Sequence, residues 1–239
     1  MTSALTTLSR AELRVAARDG EQLLLTGGLP ILLLILFGLV DVLPTGDMEP
    51  LDFLVPGILT MALLSSGFVR LAIALGFDRS FGAIERYAVS PVRVGDFLGS
   101  RAVVAALIGA VQVGVLFAIG LALGWRPTIH GLLAVVILLA MVCFFGLGLT
   151  LGSLAQGLRT LALANALYVV LLLFSGLVFD LAELPDVLST VAELLPTSAT
   201  AELLRSTTTG EAGDARAWLV LTVWSAIGPI AALRWFRWR

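Results

Sequence analysis

One histidine, one cysteine and a sparse set of carboxylates are all that this chain offers to catalysis. His130 lies in a short connection beside Pro127 and reads as a plain interfacial residue. A zinc site draws on several Cys, His or carboxylate ligands, and His130 with Cys143 cannot supply the usual set. Glu183 and Asp186 could in principle hold a hard cation through oxygen, but two carboxylates alone read more readily as a solvated face. Gly146-Leu147-Gly148, with Gly152 four residues on, stands in an apolar run and reads as a place of close helix packing rather than a phosphate cradle. All 15 basic residues are arginine. A P-loop needs a lysine to reach the terminal phosphates of a nucleotide, so the chain does not read as a P-loop ATPase. Catalytic and metal sites are expected to be absent.

A transport pathway usually announces itself by charge within the membrane. Arg70 is the one ionisable residue well inside an apolar stretch, near what should be its cytoplasmic edge. It reads as a snorkelling side chain or as the lining of an inner vestibule. No acid or histidine relay stands near mid-depth, which argues against proton or sodium coupling and for an outside motor.

These residues must be carried by an unusually apolar chain. It has 59% hydrophobic residues, 13% charged residues and a mean hydropathy of +1.01, whereas a soluble domain is nearer ~45–50% apolar and ~25% charged. The charged surface of a soluble protein cannot be built from this composition, so lipid is the expected solvent. A membrane-crossing helix needs about 20 mostly apolar residues. Six stretches qualify: Leu23 to Leu43, Phe53 to Phe77, Ala102 to Leu123, Leu132 to Leu154, Leu161 to Leu181 and Ala217 to Phe236. The fold class is therefore an all-α membrane protein of six transmembrane helices, forming one domain over residues 1–239. The lone cysteine excludes an intrachain disulfide.

Charge then orients the helices. Eleven of the fifteen arginines fall in residues 1–22, in the second and fourth connections and in the tail, which share one side. The positive-inside rule makes that side, and both termini, cytoplasmic. Trp125 and Trp218 near one face and Trp235 and Trp238 near the other would suit interfacial belts. Residues 1–22 do not read as a signal peptide, because the apolar run after them is of span length. Arg10, Arg14 and Arg18 would form one stripe of a helix, with Leu5, Leu8, Val15 and Leu23 facing elsewhere. That pattern suits an amphipathic helix in the cytoplasmic interface, or a solvated leader. Residues 78–101 hold a short helical pattern that Pro91 should end at Ser90. Residues 182–216, broken by Pro185 and Pro196, suit short re-entrant or interfacial helices on the outer side.

Three motifs in order carry a resemblance. Phe77-Asp78-Arg79-Ser80-Phe81-Gly82-Ala83-Ile84-Glu85-Arg86-Tyr87-Ala88-Val89-Ser90-Pro91 resembles the second cytoplasmic connection of type-2 ATP-binding-cassette (ABC) exporter permeases. Phe53-Leu54-Val55-Pro56-Gly57 resembles the Pro-Gly opening of that family's second span. Ser175-Gly176, Leu184-Pro185, Leu195-Pro196, Glu202 and Leu204-Arg205 resemble its outer segment between spans five and six. Ser80 and Ala83 depart from the family's usual Glu and Thr.

The resemblance implies a drug-efflux-like permease in the plasma membrane of a bacterium. It would work as a dimer with an identical or related permease chain, amid membrane lipid and without nucleic acid. Two separate ABC ATPase subunits would bind ATP and Mg; no cofactor is expected on this chain. Phe81 to Tyr87 would be the coupling helix, with Phe81, Ile84 and Tyr87 giving an apolar contact and Glu85 and Arg86 a polar one, and with Gly82 and Glu85 keeping the family pattern. Spans two and five would line the pathway, for which Val55, Leu59, Leu63, Arg70, Leu172 and Phe174 are candidates on faces that periodicity cannot orient. An apolar lining suits an amphipathic or lipid-like cargo such as a drug or hydrophobic metabolite. The rival readings are export of a polysaccharide or glycolipid, a secondary transporter, and a membrane scaffold without transport.

Overall fold

The computed structural model describes residues 4–18, 20–40, 48–176 and 185–238, and side chains outside 17–26. Among these the chain is helical, and the one piece of extended pairing is an isolated bridge between Thr128 and Thr209. The helices are α1 (Ala4–Arg18), α2 (Gly20–Leu39), α3 (Pro50–Leu63), α4 (Arg70–Ser80), α5 (Glu85–Ala88), α6 (Val94–Ala122), α7 (Leu133–Leu154), α8 (Gly157–Leu173), α9 (Asp186–Glu193), α10 (Pro196–Thr208) and α11 (Ala215–Trp235). A π-helical stretch, Leu64–Val69, joins α3 to α4 without a break.

Among the described residues, four helical segments are long and apolar enough to cross a bilayer: Pro50–Ser80, Val94–Ala122, Leu133–Leu154 and Ala215–Trp235. Two shorter apolar helices, Gly27–Leu39 and Gly157–Leu173, coincide with the first and fifth expected spans. The expected far ends of those two, at Leu43 and Leu181, lie outside the described residues. The third expected span starts at Val94 rather than Ala102, two turns earlier, so α6 reaches well past the apolar stretch.

Close backbone contact at α7 holds the bundle together. Without a hydrophobic drive between helices in lipid, small residues that let backbones approach become the main adhesive. A Cβ on Gly146 would stand 2.5 Å from the Pro229 ring of α11, and one on Gly148 2.6 Å from the Gly67 carbonyl oxygen of the π stretch. A Cβ on Gly152 would lie 2.7 Å from the Leu75 Cβ of α4. The Thr150 hydroxyl is shared between the carbonyls of Gly146 (2.9 Å) and Gly228 (3.0 Å). The glycines expected to serve packing therefore do so on both sides of α7, against α11 and against the long rod Pro50–Ser80.

Of the two short helices after Pro185, α10 is wedged into the bundle, with Thr197, Ala201, Leu203, Leu204 and Thr208 buried. Its threonines satisfy themselves by donating to the carbonyls one turn back, as Thr200 does to Pro196 and Thr208 to Leu204. Thr197 instead donates to the Leu171 carbonyl of α8, 2.9 Å away. Arg205 donates to the Gly176 carbonyl at 2.7 Å and lies over the Phe53 ring at 4.3 Å, tying α10 to the ends of α8 and α3. His130 belongs to the same end of the molecule, where its backbone N–H donates to the Thr207 carbonyl. Trp125, expected in an interfacial belt, is buried: its indole N–H donates to Asp52 at 2.8 Å, and its ring meets Phe117 edge-on.

Candidate functional site

The segment after the long rod Pro50–Ser80 is folded by its own backbone. At Gly82 φ is +69°, a region that only glycine enters cheaply. The Gly82 N–H donates to the Arg79 carbonyl and the Ala83 N–H to the Asp78 carbonyl, the paired bonds that close a helix with a left-handed residue just beyond its end. Gly82 thus stops α4 and turns the chain. The turn Phe81 to Ile84 leads into the four-residue α5, which ends at Ala88. The helix expected over 81–87 is thus a turn followed by a single helical turn. Ser90 closes it by donating to the Tyr87 carbonyl through both N–H and hydroxyl, and Pro91 follows.

Ile84 is fully buried, and Tyr87 turns inward onto Phe97 of α6 with ring centroids 5.1 Å apart. Ile84 is therefore closed to an outside contact, while Tyr87 stays half-buried. Exposed instead are Phe81 (79%), Val89 (91%), Glu85 and Arg86. Phe81 stacks on Phe77 with centroids 5.8 Å apart, which props it outward. The outer face of the segment therefore carries two apolar side chains beside an acid and a base.

Beneath that face, four other parts of the chain converge. Arg101 of α6, 9% exposed, pairs with Asp78 of α4 at 2.5 Å and with Glu12 of α1 at 3.3 Å, and its guanidinium lies 4.7 Å from the Phe97 ring centre. Phe97 also meets Phe236 and Trp238 of the tail at 5.6 and 5.3 Å. Trp238, expected in an interfacial belt, is thus part of an aromatic cluster. Arg79 donates to the Arg237 carbonyl at 2.9 Å. A Cβ on Gly157, at the start of α8, would lie 3.4 Å from Ser80, and Gly76 lies hard against Thr160. α1 and the ends of α4, α6, α8 and α11 that carry arginines or pack beside them are thereby locked around one turn.

The remaining candidates do not gather. Val55, Leu59 and Leu63 are buried in the chain's own core among Leu34, Leu116 and Phe144. Leu172 and Phe174 are half-buried near the far end of α8. Arg70 is half-buried where the π stretch meets α4, and has interactions there. Among the described residues no group of three His, Cys, Asp or Glu could hold a metal ion, and Glu183 lies outside them.

Sequence reasoning counted Arg101 as one more loop charge and passed over Phe97 and Val89. The available signal was an acid in the last turn of one helix and an arginine in the first turns of the next, on either side of a helix-stop glycine. Residues 3–208 match the family model described as ABC-2 type transporter. No curated protein matches the chain.

Proposed function

The chain belongs to the ABC-2 type transporter family, and from that premise we propose that it is the six-span permease subunit of an ATP-driven exporter. Membership makes it a membrane-embedded ABC transporter permease and implies association with ABC ATPase subunits. In the fuller reading, two permease chains, identical or related, bind two ATPase subunits on the side that holds both termini. ATP and Mg belong to those subunits. The plasma membrane of a bacterium is the proposed site. The cargo is amphipathic or lipid-like, such as a drug or a hydrophobic metabolite, moved outward by alternating access.

One observation carries the coupling part of this reading. The exposed set Phe81, Glu85, Arg86 and Val89 sits on a turn that is bound through Arg101, Tyr87 and Arg79 to α1, α6 and the tail. It also caps the rod Pro50–Ser80, whose 31 residues extend about 45 Å at ~1.5 Å per residue. A pull on such a turn is delivered to several helices at once rather than dissipated in a loop. The test is co-purification of an ABC ATPase with the full chain, followed by ATP-driven export in vesicles containing both. Export that depends on Glu85 while ATP hydrolysis continues supports the assignment. Stable absence of any ATPase, or export indifferent to Glu85→Ala, removes it.

A further inference from the structure

Between α1 and α6 runs an open groove of about 240 Å³ that the coupling assignment does not use. Leu5 and Leu13 of α1 and Val103 and Leu107 of α6 form its walls, and almost all the surface it offers is apolar. Val103 and Leu107 are 40% and 50% exposed on a helix long enough to span a bilayer, so they face lipid. The groove also has polar groups of one character. Arg10 is exposed at its edge, and Arg14 is exposed one turn further along the same helix. The Ser9 hydroxyl is shut off from solvent in the groove wall and has no hydrogen-bond partner. A buried hydroxyl without a partner is uncommon enough to ask for one.

We propose that this groove binds one anionic phospholipid of the cytoplasmic leaflet. An acyl chain lies against Leu13, Val103 and Leu107, the phosphate on Arg10, and an ester oxygen comes within reach of Ser9 once its hydroxyl turns out of the groove wall. The inference rests on the membrane orientation of the preceding subsection, which puts this end of α6 in the inner leaflet. Charge selects the headgroup: among the described residues no carboxylate lines the groove, and basic residues near an anionic leaflet favour binding by about 1 kcal/mol each. Shape selects a chain rather than a soluble anion, since a phosphate alone would leave the apolar walls in water. The site also has a route to the coupling segment. Glu12, on the same helix as Arg10, holds Arg101, which holds Asp78.

Native mass spectrometry of the purified full chain, offered equal amounts of phosphatidylglycerol and phosphatidylcholine, tests the site. The wild type should retain phosphatidylglycerol over phosphatidylcholine roughly fivefold, the ratio that ~1 kcal/mol gives. Arg10→Gln should bring the ratio close to one. Leu107→Trp, which fills the groove from a half-exposed position, should reduce retention of both lipids. Arg93→Gln, an exposed arginine at the same end of the molecule, should leave the ratio unchanged. Equal retention by the wild type overturns the proposal. So does a preference that survives both groove variants, or one lost equally in Arg93→Gln. The measurement needs no ATPase, so its failure is distinct from failure to find the motor.

Discussion

Arg101 and Asp78 face each other at 2.5 Å across the turn that joins two long helices, and Glu12 reaches the same guanidinium from a third. One cation therefore holds three helices together, close to where an ATPase is proposed to press. The arginine is largely buried, with its Nε unpartnered, so those two carboxylates supply the compensation for its charge.

Asp78→Asn should remove the shorter of the two pairs and leave a buried cation half-compensated. Fully buried pairs cost about 3–5 kcal/mol to break by removing one partner; Asp78 is partly exposed, so about 1–3 kcal/mol is expected. Thermal unfolding in detergent should show the loss, and the double variant Asp78→Asn/Arg101→Met should recover part of it. A double variant no better than the single one would mean that the pair is not the cause.

Gly82 and Glu85 should separate structure from coupling. Gly82→Ala forces a side chain into φ +69°, at about 1–2 kcal/mol, while Gly82→Pro also removes the N–H that holds Arg79. Both should lower the melting temperature, the proline more. Glu85 is exposed, so Glu85→Ala should leave the melting temperature within a degree or two while ATP-driven export falls. Parallel melting and export assays check the split; an unstable Glu85→Ala would deny it.

Gly148→Ala should destabilise far more than a typical glycine-to-alanine change in a helix. The new methyl would stand 2.6 Å from the Gly67 carbonyl oxygen and 2.7 Å from that of Phe68, so α7 and the π stretch must separate. Overpacking of this kind costs about 1–3 kcal/mol. Gly114→Ala in α6, with open space around it, is the control and should be neutral or stabilising. Their ranking by thermal stability settles the point.

Glu202 gives a pH signature at the other end of the molecule. Burial, then the neighbouring carboxylates of Asp214 and Glu193, push its carboxyl above the usual range, partly offset by Arg205 and Arg216. A carboxyl held above its unfolded value favours the folded state in acid, and that contribution is lost as pH rises through the folded value. Glu202→Gln should therefore melt higher than wild type at neutral pH, and the two curves should converge as pH falls toward the ordinary carboxylate range. A constant gap across that range would exclude the mechanism.

Much of the fold is legible in the chain itself. Long apolar stretches mark the helices, Pro91 marks the end of the turn's helix, and Gly146, Gly148 and Gly152 mark tight packing. Each of these is a local matter of chain length, ring geometry or missing Cβ. The ABC-2 family match over residues 3–208 likewise agrees with the resemblance carried by residues 77–91.

Sidedness of individual residues is not legible there. Val55, Leu59 and Leu63 were candidates for a pathway and are core; Ile84 and Tyr87 were candidates for a partner, yet Ile84 is buried and Tyr87 half-turned onto Phe97; Trp125 is buried against Asp52, and Trp238 packs half-buried in an aromatic cluster. In water, an apolar stripe tells which side of a helix is buried. In lipid both the core and the periphery favour apolar side chains, so that contrast vanishes. By itself the sequence determined that the chain is built of long apolar helices, and roughly where they lie. Tertiary structure alone decided which face of each helix meets protein, because backbone approach at glycines and a few ion pairs make that choice, and hydrophobicity does not.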